Sequence, residues 1–271
     1  GKTSMDRSFL ADQDVIAASR KFVCIRLATY ENADENEVLK GVFAPGGVLQ
    51  NTVFSLMSPD GRTSLVRAGR SPAWAFGGQV GRGIHQQPAE VIGKMAQTME
   101  AIALAYPGKD KPVGRVPLPY LADLRLALNV AAADRLPLVA IFGNAEQRKL
   151  MEQRLEPLAW ADEFLGRALY VPVTQQGEFK SITGLKTQAG YVVIQPDIFG
   201  LKGKVIQEIS LLSTAAQLKQ SLSTAVGRHQ PSTLTYEQHR SQGAAAGQRW
   251  ESKTPNTDGI GRSRFGPRPR P

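Results

Sequence analysis

Twice along this chain a run of apolar residues leads through a polar turn into a helical pattern, then into strand-like runs hinged at Pro-Asp. The first series is an apolar run over 21–28 (Lys-Phe-Val-Cys-Ile-Arg-Leu-Ala), a helical pattern over 34–43, and a run over 51–61 carrying Pro59-Asp60. The second is the unbroken run Leu138-Val139-Ala140-Ile141-Phe142, a helical pattern over 146–155, and a run over 190–197 ending in Pro196-Asp197. Residues 22–27 are rich in β-branched and aromatic types, which predicts a strand. The run over 138–142 does not alternate, which predicts a strand buried on both faces.

Further elements surround each series. Asp12 and Asp14 open a short helix over 12–20, where carboxylates suit the positive helix end. Val38, Leu39 and Val42 stripe the helix over 34–43, which Gly46-Gly47 ends. Residues 52–57 and 63–68 predict a hairpin, because Ser58-Pro59-Asp60-Gly61 presets φ at proline and accepts a positive φ at glycine. Pro88 opens a helix through Leu104, with Val91, Ile92, Met95, Met99 and Ile102 on one face. Four prolines and two glycines make 107–119 a linker. Residues 121–134 follow as a helix with Leu121, Leu124, Leu128 and Ala131 on one side. Asn144 stands three residues ahead of Gln147, the spacing of a capping box. Strands over 168–173, 191–195 and 204–209 and an amphipathic helix over 211–226 complete the second series. The division expected is therefore 1–106, a linker at 107–119, a second domain over 120–227, and a tail over 228–271. The tail has no periodicity and too few apolar residues to offset its ordering entropy, so disorder is expected there.

Charge sharpens the contrast between body and tail. Of the net charge of +9, the part from Arg228 onward carries eight Arg or Lys against three Asp or Glu. The body is near balance, so the basicity marks no cleft. Arg262, Arg264, Arg268 and Arg270, with Phe265 among them, would bind RNA, DNA or an anionic surface with strong salt dependence. A solubilising end is the plainer reading of the same residues. No apolar run approaches the about 20 residues that span a bilayer. One cysteine excludes an intramolecular disulfide. Three histidines, His85, His229 and His239, do not supply the about four ligands of a structural zinc site, and no cofactor is expected. The chain begins Gly-Lys-Thr-Ser rather than with Met, as a processed or partial product does, so the sequence assigns no compartment.

A helix, a buried strand, a helix starting at that strand's carboxyl end, an antiparallel hairpin and a closing helix together resemble the thioredoxin fold. The resemblance rests on 9–27, 52–68 and 88–104 in the first series, and on 121–155, 168–173 and 190–226 in the second. It implies an α/β protein of two thioredoxin-like units, each a mixed sheet flanked by helices. The first would be minimal, since only 44–51 separate its helix from its hairpin. Active thioredoxins begin the helix after the central strand with Cys-x-x-Cys, where the helix end lowers the thiol pKa. The matching stretches here are Ala28-Thr29-Tyr30-Glu31-Asn32-Ala33 and Phe142-Gly143-Asn144-Ala145-Glu146-Gln147, both without cysteine. Where the family places a cis-proline, the chain has Gln50-Asn51 and Gln188-Ala189. The resemblance thus implies a redox-inactive module with a protein partner. Its contact surface would be the helix starts around Thr29, Tyr30, Glu31 and Asn32 and around Asn144 and Gln147, where helix ends offer unpaired N–H groups.

The remaining candidates are weaker. Cys24 reads as a small buried hydrophobe in mid-strand, against a competing reading as the lone nucleophile of a thiol enzyme. Arg26 in that strand calls for an acid partner, Glu31 or Glu35, or else an anion site. Gly77-Gly78-Gln79-Val80-Gly81-Arg82-Gly83 has the composition of a phosphate loop but lacks its Gly-Lys-Ser/Thr ending, and reads as a flexible loop presenting Trp74 and Phe76. Glu152, Glu156, Asp162 and Glu163 fall mostly on a solvated helix face, with no histidine to complete a triad. No catalytic residue or metal ligand is assigned.

Overall fold

The computed structural model describes residues 2–43, 53–80, 86–108 and 117–254. These part into two units, one holding the described residues up to 108 together with 251–254, the other holding 117–250.

The first unit is built from α1 (Lys2–Arg7), α2 (Gln13–Ser19), α3 (Ala33–Phe43), α4 (Ala73–Phe76) and α5 (Ala89–Ala105). Asp12 caps α2 by accepting from the N–H groups of Asp14 and Val15 at 3.0 and 3.2 Å. One apolar core gathers Phe9, Val15 and Ala18 with Leu56, Phe76, Ile92, Met95 and Met99, which bears out the buried face expected of α5.

The sheet expected in this unit does not form among the described residues. Residues 22–27 lie outside any strand, with Val23 88% and Ile25 76% exposed; Phe22 packs on this core and Leu27 against Leu39. A strand is a property of its ladder, and among the described residues no partner strand pairs with this run. Cys24 is accordingly exposed and not buried in a sheet. Arg26 is exposed as well, so the burial cost that demanded an anion site does not arise. The hairpin turn is present: Gly61 N–H donates to Ser58 O at 2.8 Å and Gly61 sits at φ +69°. Its arms bond at several points, Leu65 N–H to Leu56 O at 2.7 Å and Ser58 N–H to Thr63 O at 2.8 Å among them, but form isolated bridges, Phe54 with Gly69 and Met57 with Ser64, and no continuous ladder. Ser64 Oγ turns back to Val66 O at 2.6 Å, local bonding that competes with a ladder. Trp74 and Phe76 lie on α4, not on a loop, and Phe76 is buried edge-on to Phe54 at 6.3 Å. Gly77 ends α4 in the left-handed conformation. Gln79 is held from both sides by the buried Gln87, whose Oε1 accepts Gln79 N–H (2.9 Å) and whose Nε2 donates to Gln79 O (2.8 Å). A main-chain N–H that a phosphate cradle would need is thereby taken. Residues 81–83 of that run, Gly46-Gly47, Gln50-Asn51 and His85 lie outside the described residues.

The second unit is mixed α/β: α6 (Leu124–Asp134), β1 (Leu138–Phe142), α7 (Ala145–Ala159), β2 (Leu169–Val173), β3 (Ile182–Thr183), β4 (Gly190–Pro196), β5 (Gly203–Ser210), α8 (Ala215–Arg228) and α9 (Tyr236–Ala245). The five strands order as β2-β1-β4-β5-β3. β1 runs parallel to β2, with Leu138 opposite Leu169, and antiparallel to β4, with Phe142 opposite Gly190. All five residues of β1 are buried, as the unbroken apolar run required. Val139 and Ile141 face Met151 and Leu155 of α7 and Leu218 and Leu222 of α8. Leu138, Ala140 and Phe142 face Leu124, Leu128 and Ala131 of α6. The fully buried Tyr191 keeps its hydroxyl satisfied by donating to Met151 O at 2.9 Å.

Boundaries differ from expectation where a cap decides them. α6 begins three residues late because Asp123 accepts from Leu126 N–H at 2.7 Å, and Leu121 N–H pairs with Tyr170 O instead. α7 continues through Pro157 to Ala159, since a proline in the last turn forfeits only one ladder bond. Leu118, assigned to the linker from sequence, is buried in the core of this unit, while 109–116 lie outside the described residues.

Residues 228–250, expected to be disordered, are docked instead. α9 opens with a Thr235/Gln238 capping box. It has no buried residue and is held by polar contacts that a hydrophobicity pattern does not register. His239 Nε2 lies 2.8 Å from Ile198 O, with its ring 5.1 Å from that of Phe199. Gln230 and Gln195 exchange two bonds, at 2.8 and 3.1 Å, and Arg125 lies 4.1 Å over the Trp250 ring.

His229 gives this docking a pH dependence. Its Nε2 donates to Arg135 O at 3.0 Å, and its Nδ1 is buried with no hydrogen-bond partner among the described residues. Burial lowers its pKa below the ordinary 6.5, and the Arg135 carbonyl only partly opposes this. Below the ordinary value the unfolded chain therefore binds more protons than the folded one. Stability is expected to be level above about pH 6.5 and to fall as pH drops toward the lowered folded value. His229→Gln should flatten that part of the slope in a thermal-midpoint series from pH 8 to 5. An unchanged slope would remove His229 as its source.

Candidate functional site

The chain turns at the carboxyl end of β1, where Gly143 N–H adds one more bond to Val173 O (3.3 Å) before α7 begins. The capping box read from sequence forms in both directions. Asn144 Oδ1 accepts Gln147 N–H at 2.9 Å, and Gln147 Oε1 accepts Asn144 N–H at 3.0 Å. Arg148 closes the turn by donating from Nη1 to Gly143 O at 2.8 Å. Phe142 underlies this corner edge-on to Phe179, with ring centroids 5.1 Å apart.

The end of β2 supplies the other wall. Glu178 accepts three bonds on one oxygen, from Thr174 N–H (2.8 Å), Thr174 Oγ1 (2.9 Å) and Gln175 N–H (2.8 Å). Burial works to raise the Glu178 carboxyl, but these bonds, with the Arg148 charge, outweigh it and hold it below the usual carboxylate range. Ahead of β4, Glu208 Oε1 accepts from Lys186 and Thr187 N–H at 2.6 and 2.9 Å, fixing the approach to Gln188-Ala189. Behind Arg148, the Tyr120 phenol is pushed far above its ordinary range, first by burial and then by Glu152 and Glu156. Glu156 is itself buried, an exception to the solvated face expected for most of these carboxylates. Glu163 does lie outward, paired with Lys219 at 2.8 Å.

At the matching corner of the first unit, Asn32 caps α3 by accepting Asp34 and Glu35 N–H at 2.9 and 3.2 Å. Asn36, buried, donates from Nδ2 to Thr29 O at 2.9 Å. Glu35 accepts from Ala28 N–H. Tyr30 O receives the N–H groups of Lys253 and Thr254 at 2.9 and 3.0 Å, and Thr29 O receives Thr254 Oγ1 at 2.8 Å. Residues 251–254, which sequence assigned to a disordered tail, thus lie on this turn.

Each corner therefore contains its expected residues, but with a changed property. Several N–H groups that were to be offered to a partner are taken by the caps themselves. What α7 presents is exposed Asn144, Ala145 and Glu146, beside exposed Thr174 and Gln175. Sequence reasoning missed Arg148, Thr174 and Glu178; the Gln175-x-x-Glu178 spacing was the available signal. The corner brings together an ionised carboxylate, a guanidinium, carboxamides and the Thr174 hydroxyl.

Cys24 is the chain's one thiol. Its Sγ lies 3.8 Å from Ser19 O, and partial burial raises its pKa, the opposite of what a reactive thiolate needs. Among the described residues there is no cluster of three potential metal ligands, and no helix is long and apolar enough to cross a membrane. Arg262, Arg264, Arg268 and Arg270 lie outside the described residues. Compared with known proteins, the chain matches no family model, no curated protein and no solved structure.

Proposed function

We propose that this protein is a binding module whose second unit is thioredoxin-like without thioredoxin chemistry, and whose partners dock at the starts of α7 and α3. The observation that carries the reading is the corner after β1. There, a family-like layout of helix, buried strand, helix, antiparallel hairpin and closing helix meets the reciprocal Asn144–Gln147 cap, Arg148 bonded to Gly143 O, and Glu178 bonded to the Thr174–Gln175 turn within reach of the Arg148 charge. Such a corner is preorganised, so a partner's polar groups meet fixed donors and acceptors at little entropic cost. The reading is narrower than a tandem repeat: the first unit contributes helices and a bridged turn, and supports a companion role.

Two measurements on the full chain test it. No turnover of an insulin-type disulfide substrate is expected, for wild type or for Cys24→Ser. Co-purifying protein is expected to fall about tenfold in Glu146→Arg, which reverses an exposed charge beside the cap without touching the capping pair. Turnover that survives Cys24→Ser, or retention indifferent to Glu146→Arg, defeats the proposal.

A further inference from the structure

The Thr29–Tyr30 turn already has an occupant. Lys253 and Thr254 give it two consecutive main-chain N–H groups and a hydroxyl, three bonds of 2.8–3.0 Å to two adjacent carbonyls. Tyr30 and Thr29 are half-buried, the acceptors lie just before the Asn32 cap, and Asn36 Nδ2 also donates to Thr29 O. The turn is thus fixed by its own helix, while the segment on it is mostly exposed: Glu251, Ser252 and Lys253 face solvent and Thr254 is half-covered.

We propose that Glu251–Thr254 is a reversible latch on the Thr29–Tyr30 turn, and that a peptide with the same bend and the same chemistry docks on those carbonyls once the latch lifts. The matching chemistry is two successive main-chain donors followed by a Ser or Thr hydroxyl. This rests on the reading above for the first unit and adds its regulation. Magnitudes favour reversibility. Each net hydrogen bond shifts such an equilibrium by roughly two- to tenfold. Ordering each backbone residue opposes it by roughly five- to thirtyfold. Taken alone, those three bonds do not outweigh the ordering of four residues, so they do not lock the segment in place. Recognition through main-chain bonds also means that the competitor is defined by two successive N–H groups turned to one carbonyl and one hydroxyl, not by a long sequence.

The test uses the full chain in three forms: wild type, Lys253→Pro/Thr254→Pro, which removes both N–H donors and the hydroxyl, and Thr254→Val, which removes the hydroxyl alone. The probe is a synthetic peptide of residues 249–255, Arg-Trp-Glu-Ser-Lys-Thr-Pro, titrated while amide resonances of Glu31, Asn32 and Asn36 are followed. Binding about tenfold tighter to the double proline variant than to wild type is expected, with Thr254→Val between them and a Thr→Val peptide weakened on all three. Equal binding to the three proteins, or none to any, overturns the latch. Unshifted α3 resonances in the free variants certify the fold. A failed titration removes the latch while the disulfide and Glu146→Arg measurements still stand, and failure of those leaves this titration to be read on its own.

Discussion

Gly200→Ala is expected to destabilise the second unit by about 3 kcal/mol, a large share of the roughly 5–15 kcal/mol that holds a domain folded. Gly200 stands in the turn between β4 and β5 at φ +67°, where an L side chain costs about 1 kcal/mol or more. The turn leaves no freedom to escape: Gly200 N–H donates to Asp197 O at 3.1 Å, Leu201 N–H to Asp197 Oδ1 at 2.9 Å, and Asp197 N–H to Lys202 O at 2.8 Å. A Cβ there would stand 2.5 Å from Asn129 Cα and 3.0 Å from Leu128 O, both backbone of α6. Helix backbone cannot swing aside as a side-chain tip does, so overpacking adds about 1–3 kcal/mol. Gly227→Ala in α8 is the control. No atom lies within 4 Å of its added Cβ, and replacing a helical glycine should stabilise by about 0.5–1 kcal/mol. Urea unfolding followed by circular dichroism decides. If the two variants shift alike, the β4–β5 turn does not rest on α6.

How far the sequence discloses this fold depends on whether the deciding contact is local. Leu138–Phe142 is legible because an unbroken apolar run between Pro137 and Gly143-Asn144 has little choice but a strand buried on both faces. The capping pair Asn144 and Gln147 is legible because both partners sit within one turn. Residues 22–27 carry an equally good local strand signal and form none, because a ladder needs a second strand and the chain supplies none among the described residues. The opposite error concerns 228–254, where an aperiodic polar segment is placed by His229, His239, Gln230 and Trp250. Their partners Arg135, Ile198, Gln195 and Arg125 lie far off in sequence, so no window centred on the segment could contain them.

The same rule divides the candidate site. Its caps could be read, but its charges could not, since Arg148 and Glu178 come together only when β1 and β2 pair in register and bring the two turns side by side. The first corner was located by its place after an apolar run, while its occupant came from the other end of the chain. Position in the fold was thus more legible than chemical state: helix ends with N–H groups left to offer were expected, and the caps take several of them while residues 253–254 cover the first corner's carbonyls.

Ile141→Ala is expected to cost about 3–4 kcal/mol, and Ile141→Val about 1 kcal/mol. Ile141 is completely buried one residue before Phe142, in the strand that pairs with both β2 and β4. Its side chain belongs to the core formed with Met151, Leu155, Leu218 and Leu222. Those residues come from two helices already packed against the sheet and each other, so collapse into the vacated space is resisted from several sides and most of the cavity should persist. With a urea dependence of about 2 kcal/mol per molar, the midpoint should fall by about 1.5–2 M for alanine and about 0.5 M for valine. The position also anchors function: β1 ends where the Asn144–Arg148 corner begins, so partial unfolding of this strand releases both the cap and the Glu178 wall. Partner retention by Ile141→Ala should therefore follow the folded fraction through the urea transition, while Glu146→Arg loses retention with the fold intact. An alanine variant costing under 1 kcal/mol would mean β1 is not the strand on which this unit is built.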